Sequence, residues 1–127
     1  VVNKCKITGV TDVAFGNYDP TEDTTPTDAT GSVTMRCTKN STFETYISGG
    51  AGVREMIDGT NLLPFELYYD SAGGTVYPNT TPGYDPFGGA GTTDNSEFTI
   101  NIYGRIPVLQ DVPAGTYSKD LTFTVDY

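Results

Sequence analysis

Residues 117–127, Tyr117-Ser118-Lys119-Asp120-Leu121-Thr122-Phe123-Thr124-Val125-Asp126-Tyr127, decide the fold class of this chain. Apolar Leu121, Phe123, Val125 and Tyr127 alternate with polar Asp120, Thr122, Thr124 and Asp126. A period of two puts one set of side chains on a face fit for a core and the other on a face fit for water, which is a half-buried β-strand. The sequence stops on this strand. Its outer row of backbone donors and acceptors is therefore expected to be either protected or completed by another strand.

Working outward, the same alternation recurs. Val33, Met35 and Cys37 oppose Ser32, Thr34 and Arg36, and Phe98, Ile100 and Ile102 lead into Tyr103-Gly104-Arg105. Residues 43–48 and the set Leu63, Phe65, Leu67 and Tyr69 predict two more strands, with Pro64 marking a sheet edge or a strand start. Short strands are expected at residues 1–7 and 53–57, followed by turns at Gly9 and at Asp58-Gly59. Residues 19–31 read as a surface connection rich in Thr, Asp and Pro, and residues 70–96 as a long loop of the kind that is functional or mobile. Fifteen glycines and eight prolines punctuate the runs. No segment carries apolar residues at three and four spacing over the roughly eleven positions an amphipathic helix needs. The class is all-β: an antiparallel β-sandwich of about seven or eight short strands, in one domain over residues 1–127 with no repeat or linker.

Seven basic residues against sixteen acidic ones give a formal net charge of −9. Nucleic acid and anionic lipid both need clustered Lys and Arg, so neither is expected as a partner. No stretch approaches the roughly 18 apolar residues of a membrane span, so no direct membrane insertion is expected. No signal peptide is seen, as for a secreted protein in its mature form. Cys5 and Cys37 are compatible with a disulfide, with two buried thiols or with half of a metal site. With no His and no second Cys pair, a tetrahedral zinc shell is disfavoured. A disulfide is the favoured state. It would stabilise the domain by about 3–4 kcal/mol by closing the intervening thirty-odd residues, and it points to an oxidising compartment.

The absence of His removes the usual Ser–His and Cys–His nucleophile pairs, and no catalytic residue, metal or cofactor is expected. Asp19, Glu22, Asp23 and Asp28 are dense in one loop, which raises calcium, but their spacing is not that of an EF-hand. Acidic loops are more often simply solvated. Tyr77, Tyr84 and Phe87 could stack on sugar rings or on a surface; packing back onto the sandwich is the preferred expectation. Asn40-Ser-Thr and Asn79-Thr-Thr match the glycosylation acceptor pattern. Arg54 and Arg105 are expected to form surface ion pairs with carboxylates on adjoining strands, of little energetic weight.

Taken in order, Cys5, Phe15-Gly16-Asn17-Tyr18-Asp19-Pro20, Gly31-Ser32-Val33-Thr34-Met35-Arg36-Cys37, Gly49 with Arg54-Glu55-Met56, Leu67-Tyr68-Tyr69-Asp70, Tyr103-Gly104-Arg105 and Ala114-Gly115-Thr116-Tyr117 resemble the spore coat protein U family. Its members include subunits of archaic chaperone-usher pili. The resemblance implies an immunoglobulin-like sandwich with a Cys5–Cys37 bridge between its first two strands and without its last strand. A periplasmic chaperone would lend that strand, and a neighbouring pilin or coat subunit would replace it after passage through an outer-membrane usher. This is donor-strand complementation, a form of β-augmentation.

The terminal strand fits one wall of such a groove, with Leu121, Phe123, Val125 and Tyr127 facing it. Val1–Lys4 are too few to serve as a donor strand, which takes about five residues or more. The chain is therefore expected to be trimmed, to accept without donating, or to close its groove another way. The implied function is a non-catalytic structural subunit of a secreted surface assembly, pilus or spore coat, exported through the periplasm, with a role in adhesion or biofilm. The alternative is a complete adhesin or carbohydrate-binding domain whose contact lies in residues 70–96.

Overall fold

The computed structural model describes residues 4–22, 25–48, 54–80, 82–108 and 110–127. Along the chain these form β1 (Cys5–Thr11), β2 (Asn17–Tyr18), a 3-10 turn at Pro20–Glu22, β3 (Thr27–Cys37), β4 (Glu44–Ser48), β5 (Glu55–Asp58), β6 (Asn61–Pro64), β7 (Glu66–Tyr68), β8 (Glu97–Ile106), β9 (Gly115–Thr116) and β10 (Thr122–Asp126). The strand pairings are antiparallel, in a four-stranded sheet of order β1-β3-β8-β7 and three two-stranded ladders, β10-β4, β2-β9 and β5-β6.

The core follows from the alternation. Val33, Met35 and Cys37 on β3 and Ile100, Ile102 and Ile106 on β8 point inward, to meet Ile47 from β4, Leu63 from β6 and Leu67 from β7. Each of these Val, Ile, Leu and Met side chains contributes about 1.5–3 kcal/mol on burial. The outward residues of β3 and β8 pair as Thr30 with Tyr103, Ser32 with Asn101 and Thr34 with Thr99, a polar face suited to water. Where the chain turns into β10, the Tyr117 hydroxyl donates to the Pro113 carbonyl at 2.7 Å, the tyrosine corner of immunoglobulin-like sandwiches.

The four-stranded sheet and the β10–β4 ladder are stitched along one side by a segment that sequence periodicity does not mark. Tyr77 N–H donates to Leu67 O at 2.8 Å, Ile47 N–H to Pro78 O at 2.9 Å, and Thr45 and Tyr84 exchange both backbone bonds. A hydrogen-bonded path therefore runs from β1 through β3, β8 and β7, across residues 77–78, to β4 and β10. Among the described residues, no backbone bond joins β10 to β1.

Several expectations change. The strand expected to end before Gly9 runs on to Thr11, because a bulge between Ile7 and Gly9 absorbs one residue and keeps the ladder with β3 in step; Val1–Asn3 lie outside the described residues. β3 starts at Thr27, inside the expected surface connection, since Thr27 and Ala29 continue the pairing with Ile106 and Gly104. The single strand expected across Leu63–Tyr69 is two. Pro64 has no N–H to donate, and beyond it the chain leaves β5 and takes up β8. β5 begins at Glu55, and Val53 lies outside the described residues.

Candidate functional site: an apolar cleft between two strand edges

A cleft of about 480 Å³ opens where the path of backbone bonds is interrupted. One wall is residues 10–16, the end of β1 and the segment after it. The other is residues 116–121 with Phe123, the approach to β10 and its first half. Val33, Ile47, Met56, Phe65, Leu67 and Ile102 form the floor, so the core is reached directly through the cleft. Among the described residues, β1 pairs only with β3 and β10 only with β4. Two strand edges thus face an apolar floor, with charged Asp12, Lys119 and Asp120 exposed at the rim.

Residues 12–16 reach this position because two inward-facing positions beneath them are glycine. A Cβ at residue 31 would stand 2.5 Å from Thr11 O and 2.9 Å from Val13 N. A Cβ at residue 104 would meet Phe15 at 2.6 Å and Val13 at 2.7 Å. The bare backbone lets the chain cross from the β1 sheet to the β2–β9 ladder, which closes one end of the cleft. Val13 and Phe15 pack on the core as they cross, with Phe15 edge-on to Phe65 at 6.2 Å.

The residues singled out in the sequence are placed as follows. Leu121 and Phe123 line the cleft. Val125 is half-buried and Tyr127 is 57% exposed, and neither is among the lining residues. Residues 10–16, which form the opposite wall, carry only a short alternation at Val13 and Phe15 and were not expected as a wall. Cys5 and Cys37 are register partners across β1 and β3 and are joined by a disulfide.

Tyr77 is fully buried, its hydroxyl bonded to Thr45 Oγ1. Burial pushes that phenol up beyond its ordinary pKa. Tyr84 stacks on Tyr69 with ring centroids 3.9 Å apart, and Phe87 packs edge-on against Phe43 and Phe98. The rings of residues 70–96 face the sandwich, and Tyr77 touches Phe123 of the cleft at 6.2 Å. Tyr77 is enclosed, whereas Tyr84 and Phe87 remain half-buried.

The acidic residues of the loops cap turns. Asp19 accepts from Thr21, Asp70 from Ser71 and Thr75, and Asp85 from Phe87 and Gly89. These bonds hold Asp19 and Asp70 below the usual carboxylate range. Asp28 is lowered by its two hydrogen bonds from Arg105, at 2.8 and 3.0 Å across β3 and β8. Asp23 and the Glu22 side chain lie outside the described residues, and no group of three or more metal-ligating side chains occurs among those that are described. No helix of the described residues is long and apolar enough to cross a membrane.

Arg54 departs from expectation. Its side chain is only 8% exposed, and it donates to Glu66 Oε1, to Ile47 O at 3.1 Å and to Tyr77 O at 2.9 Å. This is a cation built into the seam, not a surface pair.

Fold and cleft define an immunoglobulin-like β-sandwich with an apolar cleft between β1 and the approach to β10. The Spore Coat Protein U domain matches residues 1–124, and the chain belongs to that family. Protein U of Myxococcus xanthus is 30% identical over 129 residues, spanning 89% of this chain and 70% of that protein. Among solved structures, a chain of the CsuC–CsuE chaperone–tip adhesion subunit pre-assembly complex, from archaic chaperone-usher Csu pili of Acinetobacter baumannii, shares the fold. Its TM-score is 0.64 at 19% identity, over 100% of this chain and 40% of that one. This chain thus spans two fifths of the length of that relative.

Proposed function

We propose that this chain is a non-catalytic structural subunit of a secreted surface assembly, an archaic chaperone-usher pilus or a spore coat, and that it accepts a β-strand from another molecule between β1 and β10. The observation that carries this is the cleft itself: two strand edges without an outer partner among the described residues, flanking a floor of core side chains. A strand laid there would bond to both edges through its main chain and place every second side chain on Val33, Ile47 and Ile102. That is the physics of β-augmentation.

During export the donor would be a periplasmic chaperone, with hand-over at an outer-membrane usher; in the assembly it would be a neighbouring subunit. The family match and the fold shared with a chain of a chaperone–subunit complex support a chaperone and a neighbouring subunit as partners. Adhesion or biofilm formation is the role such an assembly would serve. The alternative, a complete adhesin using residues 70–96, has less support because Tyr77, Tyr84 and Phe87 pack inward.

The test is a synthetic peptide alternating valine with threonine over about ten residues, the length of a long strand, titrated onto the purified chain. The expected result is saturable binding, a raised melting temperature and new amide protection along β10. Phe123→Asp, which puts a charge on the cleft wall, should abolish all three. A wild-type chain that binds no such peptide, and whose size and stability are independent of its concentration, would overturn the proposal.

A further inference from the structure

An arginine with its side chain almost wholly out of water is costly unless every donor it turns inward is used. Arg54 uses its donors on three segments at once. One guanidinium nitrogen bonds Glu66 next to β7's Leu67, and the other bonds both Ile47 O on β4 and Tyr77 O in the connecting segment. Glu66 Oε1 also accepts from Leu67 N–H at 2.9 Å. The Arg54 carbonyl accepts from Phe65 N–H at 2.9 Å. The fork therefore spans the seam at residues 77–78 and grips the strands on either side of it.

That seam stands opposite the cleft in the hydrogen-bonded path. One cleft wall, β10, is carried by β4; the other, β1, is carried by β3, β8 and β7. Besides core packing, the described backbone links near the cleft are the seam, the two-residue β2–β9 ladder and the Ile57–Ser118 pair, whose two backbone bonds tie the approach to β10 to β5. A change in the angle at the seam would change the gap between the walls, as a hinge sets the opening of a jaw. Ile47 and Leu67, whose backbones Arg54 and Glu66 hold, are also floor residues of the cleft.

We propose that Arg54, oriented by Glu66, is a positioning residue that sets the width of the strand-accepting cleft; this rests on the proposed function above. Its planar fork reaches two carbonyls and a carboxylate together, which a lysine ammonium on a similar stem does not. The role is geometric, so it predicts an effect confined to the seam and to strand capture rather than spread over the whole fold.

The experiment compares wild type, Arg54→Lys and Arg54→Met by amide hydrogen exchange and by affinity for the valine–threonine peptide. For Arg54→Met, the amides of Ile47, Tyr77 and Tyr84 should exchange faster while those of the β3–β8 ladder keep their rates. Peptide affinity should fall about tenfold or more, with Arg54→Lys between the two. Uniform acceleration of all amides, or affinity within about twofold of wild type, would overturn the proposal.

Should Arg54→Met not fold, Glu66→Gln keeps an acceptor for Leu67 N–H while removing the charge. It should give the same selective acceleration at smaller size, and uniform acceleration would again refute the role. The two failures separate: a wild type that captures no peptide removes the cleft reading, whereas equal capture by wild type and Arg54→Met removes only the role of Arg54.

Discussion

Phe15 occupies the space that a side chain at Gly104 would need: a Cβ there would stand 2.6 Å from the tip of its ring. Gly104 lies inside β8 and is not among the positive-φ glycines, so what it provides is room rather than an unusual backbone. Gly104→Ala should destabilise by about 1–3 kcal/mol, the range for overpacking a core, and Gly104→Val by more. A fall in melting temperature checks this. Loss of Phe15–Phe65 contacts by NMR would confirm that the crossing segment is what moved.

The disulfide ties the cleft wall β1 to the centre of the sheet at Cys5 and Cys37. Replacing both with serine should cost about 3–4 kcal/mol by the loop-entropy account, seen as a lower denaturant midpoint. Exchange should rise most along β1, whose other edge has no partner among the described residues.

Thr45 and Tyr77 should tolerate substitution unequally. The Thr45 hydroxyl donates to Tyr84 O at 2.8 Å and so accepts from the Tyr77 hydroxyl. Tyr77→Phe removes one bond and leaves Thr45 paired, at about 1 kcal/mol. Thr45→Val leaves the fully buried Tyr77 hydroxyl without this acceptor and should cost about 1–3 kcal/mol. Equal melting temperatures for the two variants would contradict this assignment of donors.

Stability should fall at both extremes of pH. Asp19, Asp28 and Asp70 titrate below their ordinary value of 3.8 in the folded chain. Their contribution is therefore complete above that value and lost as pH drops through the lower folded values. Relief of repulsion among the acidic side chains opposes the loss, so the clean measurement is a difference: Asp28→Asn should flatten the acid limb relative to wild type. Tyr77, Tyr84 and Tyr117 are raised above 10.0, chiefly by burial. The unfolded chain then loses phenolic protons first, and stability declines as pH rises past that value. Tyr77→Phe should shallow that limb.

What could be read from the sequence was what depends on near neighbours. The alternations at Val33–Cys37, Phe98–Ile102 and Leu121–Val125 repeat every second residue, so each strand and its inward face were visible without knowing its partner. The second cleft wall was not, because residues 12–16 owe their place to Gly31 and Gly104, which lie beneath them in space and far from them in sequence. The seam was hidden for a related reason. Tyr77-Pro78 and Gly83-Tyr84 carry no period, and only the positions of Thr45, Ile47 and Leu67 give the backbone of Tyr77, Pro78 and Tyr84 its strand-like bonds. Arg54 has the carboxylate partner expected of it, Glu66, but is buried rather than at the surface, since its two further acceptors are backbone carbonyls that have no signature in side-chain chemistry.

The Cys5–Cys37 bond has a mechanical meaning. A strand seated between β1 and β10 and pulled along its own length would load both walls in shear, so that rows of backbone bonds resist together instead of opening one after another. The β10 wall passes such a load to β4 through hydrogen bonds alone, whereas β1 is anchored to β3 by a covalent link at its first residue. Tension would therefore meet its hard stop on the β1 side, and any yielding would begin along β10.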